Sequence, residues 1–313
     1  MKSLKKYIYI YIILAFLAIL ACFASIKVIN ALRWEHSLLG EKLADLENTV
    51  FALSADIESV PLRAKHYDFE YPWLDSSSPV LLAHAMGGID GQIYTNSKEA
   101  LEYSYNNGFR VFEADFQLLD GQIVMLHDIE RGSAMCSFDS NEYDDDMFLA
   151  SKLYGEYTPM DWRMVLEFMQ EHPDVYIVTD TKYDKQPHMS NVLSELVIEA
   201  LEFDVSLLDR VVVQIYNQQM LDTVMDIYPF KSIIYTLYMS PDSLEEVKAF
   251  CVQSGIKAVT MYKAGYPDTF VSELNALGIS SLAHTINDEQ EANELIEAGY
   301  SGIYTDFLLP ASK

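Results

Sequence analysis

From Pro79 onward the chain alternates short apolar runs with segments of helical periodicity, and this alternation most restricts the folds open to it. The runs read as strands at Pro79–His84, Phe109–Phe116, Val175–Thr179, Val211–Tyr216, Ser232–Leu237, Ala258–Met261, Ser280–Ala283 and Gly302–Tyr304. Helical spacing fills the gaps at Ser97–Asn107, Met160–Glu171, Val192–Phe203, Gln218–Ile227 and Ser243–Gln253, and near 268–277 and 288–298. Eight strands joined in this way are what a (β/α)8 barrel requires, and in such barrels the chemistry lies at the C-terminal ends of the strands. His84, Glu113, Asp115, Asp180 and His284 all fall at such ends. The expected fold class is therefore α/β, a (β/α)8 TIM barrel over residues 79–313. Residues 128–157 form a long excursion expected to act as a lid or rim.

Chemistry-bearing residues concentrate between Leu81 and Asp128. The first apolar run ends in His84 and opens into Gly87-Gly88. Asn96 or Ser97 is placed to cap the helix that follows, and Gly108 ends it. On the next strand Glu113 and Asp115 are two residues apart and so share a face. Two adjacent carboxylates on an apolar strand need a cation, and hard oxygen ligands suit Mg²⁺ or Ca²⁺. Asp120-Gly121 makes a tight turn, and the returning segment ends in His127-Asp128, which would bring His127 back beside the acidic pair. Taken singly, a histidine at a strand end is structural more often than catalytic; the conjunction is what points to a site.

These residues resemble the opening of the glycerophosphodiester phosphodiesterase family, whose barrel is shared with the phosphatidylinositol-specific phospholipases C. His84, Asn96 with Ser97, Glu113 with Asp115, and His127 with Asp128 stand where that family has His-Arg-Gly, Glu-Asn-Thr, Glu-x-Asp and His-Asp. Residues 283–307 are similar to its closing strand–helix–strand ending in Gly-x-x-Thr-Asp. Tyr176–Lys182 resembles the strand that ends Glu-x-Lys. The resemblance implies a metal held by Glu113, Asp115 and Asp180, a phosphate contact from Lys182, and acid–base catalysis by His84 and His127. Asn96, His284 and Tyr216 are expected to bind substrate or phosphate, and Tyr94 and Tyr262 to line the pocket. Three departures stand out: Ala85 and Met86 occupy the stretch where the family has an arginine, Asp180 replaces a glutamate, and His284 replaces an aromatic residue.

The reaction implied is metal-assisted cleavage of a glycerophosphodiester-like substrate, with one histidine as base and the other as acid. By resemblance it would pass through a cyclic phosphate formed by a neighbouring substrate hydroxyl. The rival readings are a lyase that stops at the cyclic phosphate and a tethered barrel that binds without turnover.

The N-terminus carries a separate expectation. Lys2, Lys5 and Lys6 precede the uncharged apolar run Tyr7–Ser25, long enough to approach the roughly 20 residues that cross a bilayer as a helix. This predicts a cytoplasmic tail over 1–6, a transmembrane signal anchor over 7–29, and a single-pass cell-membrane protein with its enzyme domain extracytoplasmic. A cleaved signal peptide and a lipoprotein with Cys22 acylated are the alternatives. Leu32, Leu39, Leu43, Leu46, Val50, Leu53 and Ile57 fall on three- and four-residue steps. They predict an amphipathic or coiled-coil-like helix over 30–60, either forming a homodimer through 32–57 or docking on the barrel. Residues 61–78, with Pro61, Pro72 and Ser76–Ser78, read as a connector.

Charge excludes some partners. The net charge is −26, and all residues before Glu35 lack acidic groups, so the remainder is more acidic still. Nucleic acid is not an expected ligand. The acidic run 139–146 reads as a solvated loop, with a calcium site as the alternative, and Cys22, Cys136 and Cys251 lack any spacing that argues for a disulfide.

Overall fold

A computed structural model of the chain describes residues 65–74, 78–137 and 144–311. The strands are β1 Val80–Ala83, β2 Val111–Leu119, β3 Gln122–Met125, β4 Tyr176–Asp180, β5 Val211–Ile215, β6 Ser232–Thr236, β7 Ala258–Met261, β8 Ser280–Ala283 and β9 Gly302–Thr305. The helices are α1 Lys98–Asn106, α2 Ile129–Cys136, α3 Asp145–Leu149, α4 Trp162–Glu171, α5 His188–Phe203, α6 Gln218–Ile227, α7 Leu244–Ser254, α8 Asp268–Ala276 and α9 Glu289–Glu297. Eight strands run parallel, and β1 pairs with both β2 and β9, which closes the barrel. The ninth, β3, is the return of a hairpin and pairs antiparallel with β2.

Side-chain alternation divides each strand between two cores. Leu82, Val111, Val178, Val212, Ile234, Ala258, Leu282 and Tyr304 gather inside the barrel with Trp73. The intervening residues, such as Phe112, Ile177, Val213 and Ile233, join the larger core shared with the helices. Two residues further along each inward row, the side chains turn polar: Val111 leads to Glu113 and Asp115, Val178 to Asp180, and Val212 to Gln214. One end of the barrel is thereby an apolar plug and the other a polar mouth.

Helix ends follow ordinary capping chemistry. Ser97 Oγ accepts from Ala100 N, Asp161 caps α4, Asn217 caps α6, and Ser243 with Glu246 forms a reciprocal capping box on α7. The excursion after β3 has its own small core of Leu119, Val124, Leu126, Met135, Phe148, Leu153 and Tyr157. Its described parts are α2, α3 and the turns that lead into α4.

Residues 65–74, within the segment expected to be a connector, are docked on the barrel. Trp73 is buried and its Nε1 donates to Ser232 Oγ at 2.8 Å. Tyr71 donates to Ile233 O and accepts from Lys257 N, both at 2.9 Å. Gly255 lets this strap approach: a Cβ there would stand 2.1 Å from Tyr67 O.

The barrel agrees with the expected fold class, whereas the membrane part of the expectation is corrected. The anchor over 7–29, the amphipathic helix over 30–60 and the dimer through 32–57 lie outside the described residues. Among the described residues no helix is long and apolar enough to cross a membrane. Nothing among the described residues supports single-pass topology, attachment through an N-terminal helix or an extracytoplasmic catalytic domain.

Candidate active site

Strand register assembles the acidic centre. Asp115 on β2 lies directly opposite Asp180 on β4, and Glu113 is two residues before Asp115 on the same inward row. The three carboxylates are buried, and one oxygen from each lies within 4.8 Å of the others. Ala85 N donates to Glu113 Oε2 at 2.8 Å, while Glu113 Oε1 is buried with no hydrogen-bond partner. Asn96 grips Asp115 at two points: its Nδ2 donates to Oδ2 at 2.8 Å and its Oδ1 accepts from the Asp115 N–H at 3.1 Å. Asp180 Oδ1 accepts from the Tyr216 hydroxyl, from Lys182 N at 3.1 Å and from the Tyr238 hydroxyl at 3.4 Å.

Such a cluster is costly without a cation. Burial and the charge of Asp115 push the Glu113 carboxyl well above the usual range. Burial works in the same direction on Asp115, but Lys182, His127 and His84 outweigh it and hold Asp115 low. Lys182 Nζ is 2.6 Å from Asp115 Oδ1 and also contacts Asp180 Oδ2. Burial disfavours that ammonium, yet Asp115, Asp180 and Glu113 raise it far above its ordinary value. An orphaned carboxylate oxygen within an all-oxygen donor set fits a hard divalent ion.

Each histidine beside the cluster is held by a carboxylate. His84 Nδ1 donates to Asp306 Oδ1 at 2.8 Å, which leaves Nε2 3.9 Å from Glu113 Oε2. Burial opposes charge on this ring, but the Asp306 bond and the charges of Glu113, Asp306 and Asp115 raise it to about 9. His127 Nδ1 donates to Asp128 Oδ2 at 2.5 Å. The hairpin does bring it back as expected: Leu126 N donates to Asp115 O at 3.0 Å. Tyr94 stands between the two imidazoles, its ring centroid 5.0 Å from that of His84 and 4.9 Å from that of His127.

Opposite them lies an aromatic wall. His284 stacks on Tyr262 at 4.3 Å and 21°, with Tyr238 5.6 Å away. Burial, aided by the positive charge of His84, lowers His284 to about 4, so it is neutral near pH 7. Its Nε2 is buried with no hydrogen-bond partner. Beside His127 and Lys182 is a cavity of about 420 Å³, lined also by Gln117, Asp128, Ile129, Glu130 and Tyr183.

Two expected substrate contacts are turned toward the carboxylates instead. Asn96 is fully buried with its amide on Asp115, and the buried Tyr216 hydroxyl meets Asp180 and the N–H groups of Thr181 and Lys182. Asp306 was not among the expected site residues. It accepts from Asn287 Nδ2 at 2.7 Å, and its own N–H donates to Asn287 Oδ1 at 2.8 Å. Its signal in the sequence is the Thr305-Asp306 pair at the end of the last strand, two residues beyond the inward-facing Tyr304.

A closed parallel barrel with this buried acidic centre at its C-terminal mouth is the framework of a hydrolase able to hold a divalent metal. Residues 88–309 match the glycerophosphoryl diester phosphodiesterase family, and the chain belongs to that family as a phosphodiesterase-like hydrolytic enzyme. Among solved structures, a glycerophosphodiester phosphodiesterase from Parabacteroides distasonis is similar with TM-score 0.58 and 19% identity, over 73% of this chain and 94% of that one. A phosphodiesterase from Oleispira antarctica, in complex with the product sn-glycerol-3-phosphate, gives 0.58 and 18% over 75% and 94%. A glycerophosphodiester phosphodiesterase from Thermotoga maritima gives 0.53 and 18% over 73% and 94%. Likeness at these identities speaks for the fold. No curated protein matches the chain.

Proposed function

We propose that the chain hydrolyses a glycerophosphodiester-like substrate with His84 and His127 as the acid–base pair. The observation that carries this reading is that each imidazole is anchored through Nδ1 by its own carboxylate, Asp306 or Asp128, beside one buried acidic cluster. Nδ1 then carries a proton on both rings, and each Nε2 is left to exchange one with substrate.

His84, next to Glu113, would take the proton of the attacking hydroxyl through Nε2 once a cation on the cluster offsets the carboxylate charges that otherwise hold its ring protonated. His127, beside the cavity, gives a proton to the alkoxide as the bond from phosphorus to the leaving oxygen breaks. A neighbouring hydroxyl of the substrate is the first nucleophile, and water then opens the cyclic phosphate so formed. Mg²⁺ or Ca²⁺ held by Glu113, Asp115 and Asp180 would offset charge on a non-bridging phosphate oxygen. Lys182, which contacts Asp115 and Asp180, would offer its ammonium to the phosphate were those carboxylates to hold a cation instead. Asn96 and Tyr216 position Asp115 and Asp180, and the His284–Tyr262 stack offers a neutral face to the alcohol.

The test is release of alcohol and phosphomonoester from glycerophosphocholine by the full chain with Mg²⁺, Ca²⁺ or EDTA, alongside His84→Ala and His127→Ala. Metal-dependent turnover lost in both variants is expected; turnover unchanged in either would sink the acid–base assignment. Phosphorus NMR of the products separates hydrolysis from a lyase, since a cyclic phosphate that persists would mean the second step is missing.

A further inference from the structure

The walls of the site are short of positive charge for a phosphodiester anion. Glu113, Asp115, Asp180, Asp128 and Asp306 all face or border it. Ala85 and Met86, after His84, are buried and uncharged. The Lys182 ammonium is engaged by Asp115 and Asp180.

Arg131, in the first turn of α2, lies on the histidine side of the mouth. Its Cζ is 4.1 Å from the centroid of the Tyr94 ring, the same ring that stands between His84 and His127. The guanidinium is thus one ring away from both imidazoles. Arg131 N donates to Asp128 Oδ1 at 2.7 Å, and its Nε is 3.6 Å from Asp128 Oδ2, the oxygen that holds His127 Nδ1. Among the described residues, no hydrogen bond engages its Nη atoms, and the side chain is 39% exposed. Other arginines serve the fold: Arg110 Nη1 donates to Tyr105 O and Phe109 O, and Arg210 donates to the carbonyls of His172, Val175 and Met169. Tyr94, the platform beneath Arg131, has a φ of +61°. Left-handed backbone is unfavourable for a tyrosine and persists where surrounding contacts enforce it, often at functional sites.

We propose that Arg131 binds the substrate phosphate, its planar fork taking non-bridging oxygens while Tyr94 aims it from the excursion over the two histidines. A guanidinium offers paired donors matched to phosphate geometry, and its unengaged Nη atoms supply them without breaking a contact of the fold. The proposal rests on the phosphodiesterase reading above and adds a second cationic side chain, besides Lys182, that meets the anion.

The full chain with Mg²⁺ is compared with Arg131→Gln, which keeps a polar stem on Tyr94 without charge, and Arg131→Lys, which keeps charge without the fork. Arg131→Gln should raise KM for glycerophosphocholine about tenfold with kcat within about twofold, since a charge-assisted hydrogen bond contributes about that factor or more. Binding of inorganic phosphate by titration calorimetry should weaken by a similar factor, and Arg131→Lys should recover part of both. KM and phosphate affinity within twofold of wild type in Arg131→Gln would overturn the assignment. A fall in kcat alone, unrescued by lysine, would overturn it too and leave Arg131 as a support for Tyr94. If wild type turns over no glycerophosphocholine, that substrate assignment fails, and phosphate affinity alone decides the role of Arg131.

Discussion

His84 Nδ1 and Asp306 Oδ1, which are 222 positions apart in sequence, meet at 2.8 Å where the first and last strands of the barrel adjoin. β1 and β9 pair with Ala83 opposite Thr305, so the residues that follow each are side by side. Gly88 makes the approach feasible: its N–H donates to Asp306 O at 2.7 Å, and a Cβ there would lie 2.9 Å from that oxygen and 2.2 Å from the Phe307 ring.

Asp306→Asn keeps the size of this anchor and removes its charge. An amide can offer its N–H₂ to Nδ1 and so stabilise the wrong tautomer, with the proton on Nε2 where the proposed base needs a lone pair. We expect kcat on glycerophosphocholine to fall about 10- to 100-fold with KM little changed, the range for loss of a partner that orients an active imidazole. An unchanged kcat would remove Asp306 from the catalytic arrangement.

Glu113 sets stability against function. Because burial and Asp115 raise its carboxyl, the metal-free folded state resists the ionised form that the unfolded chain adopts freely at neutral pH. Glu113→Gln should therefore melt a few degrees higher than wild type at pH 8 in EDTA. Mg²⁺ should raise the melting temperature of wild type and leave that of the variant nearly unmoved. Activity should drop at least about 100-fold. Equal responses of both proteins to Mg²⁺ would argue against Glu113 as a ligand.

A second raised carboxyl lies far from the mouth. Glu199 on α5 is half-buried, and burial followed by Asp161, Glu195 and Glu202 lifts it from 4.5 to about 7 against the pull of Arg163. The folded state then holds a proton that the unfolded state loses, so this group lowers stability as pH rises from about 4.5 to about 7. Glu199→Gln should be stabilised by about 1–2 kcal/mol at pH 8, a figure reduced for solvent screening, with a smaller gain at pH 5. Urea unfolding at the two pH values checks this; an equal gain at both would assign the effect to something other than titration.

Much of the mouth was legible because a strand has a period of two. Once Val111 is placed inside the barrel, Glu113 and Asp115 must follow it on the same row, and Val178 brings Asp180 in the same way. The same rule carries Tyr304 to Asp306, a carboxylate that the closing Thr-Asp resemblance alone does not assign to the site. Loops obey no such period. Asn96 faces Asp115 because the segment that carries it has left-handed backbone at Ala85, Met86, Asp90, Tyr94 and Asn96 itself. No propensity of those residue types foretells that path. The docking of Trp73 was hidden for a different reason: prolines and serines around it resemble a linker, and a single buried indole leaves no periodicity to read.

Tyr216 tests how the shorter third carboxylate is held. Its hydroxyl donates to Asp180 Oδ1 and accepts from Thr181 N at 3.0 Å and Lys182 N at 3.2 Å. Lys182 has a φ of +59°, so the hydroxyl and Asp180 Oδ1 together hold an unfavourable turn directly after β4. Tyr216→Phe removes one oxygen from a fully buried position and leaves both N–H groups and the carboxylate short of a partner. The expected result is Mg²⁺ affinity about 10- to 100-fold weaker, with kcat recovering toward wild type at saturating Mg²⁺. Calorimetric titration with Mg²⁺ measures the first and steady-state kinetics the second. A kcat that stays low at saturating metal, with affinity unchanged, would instead place the hydroxyl against the substrate, as the sequence alone suggests.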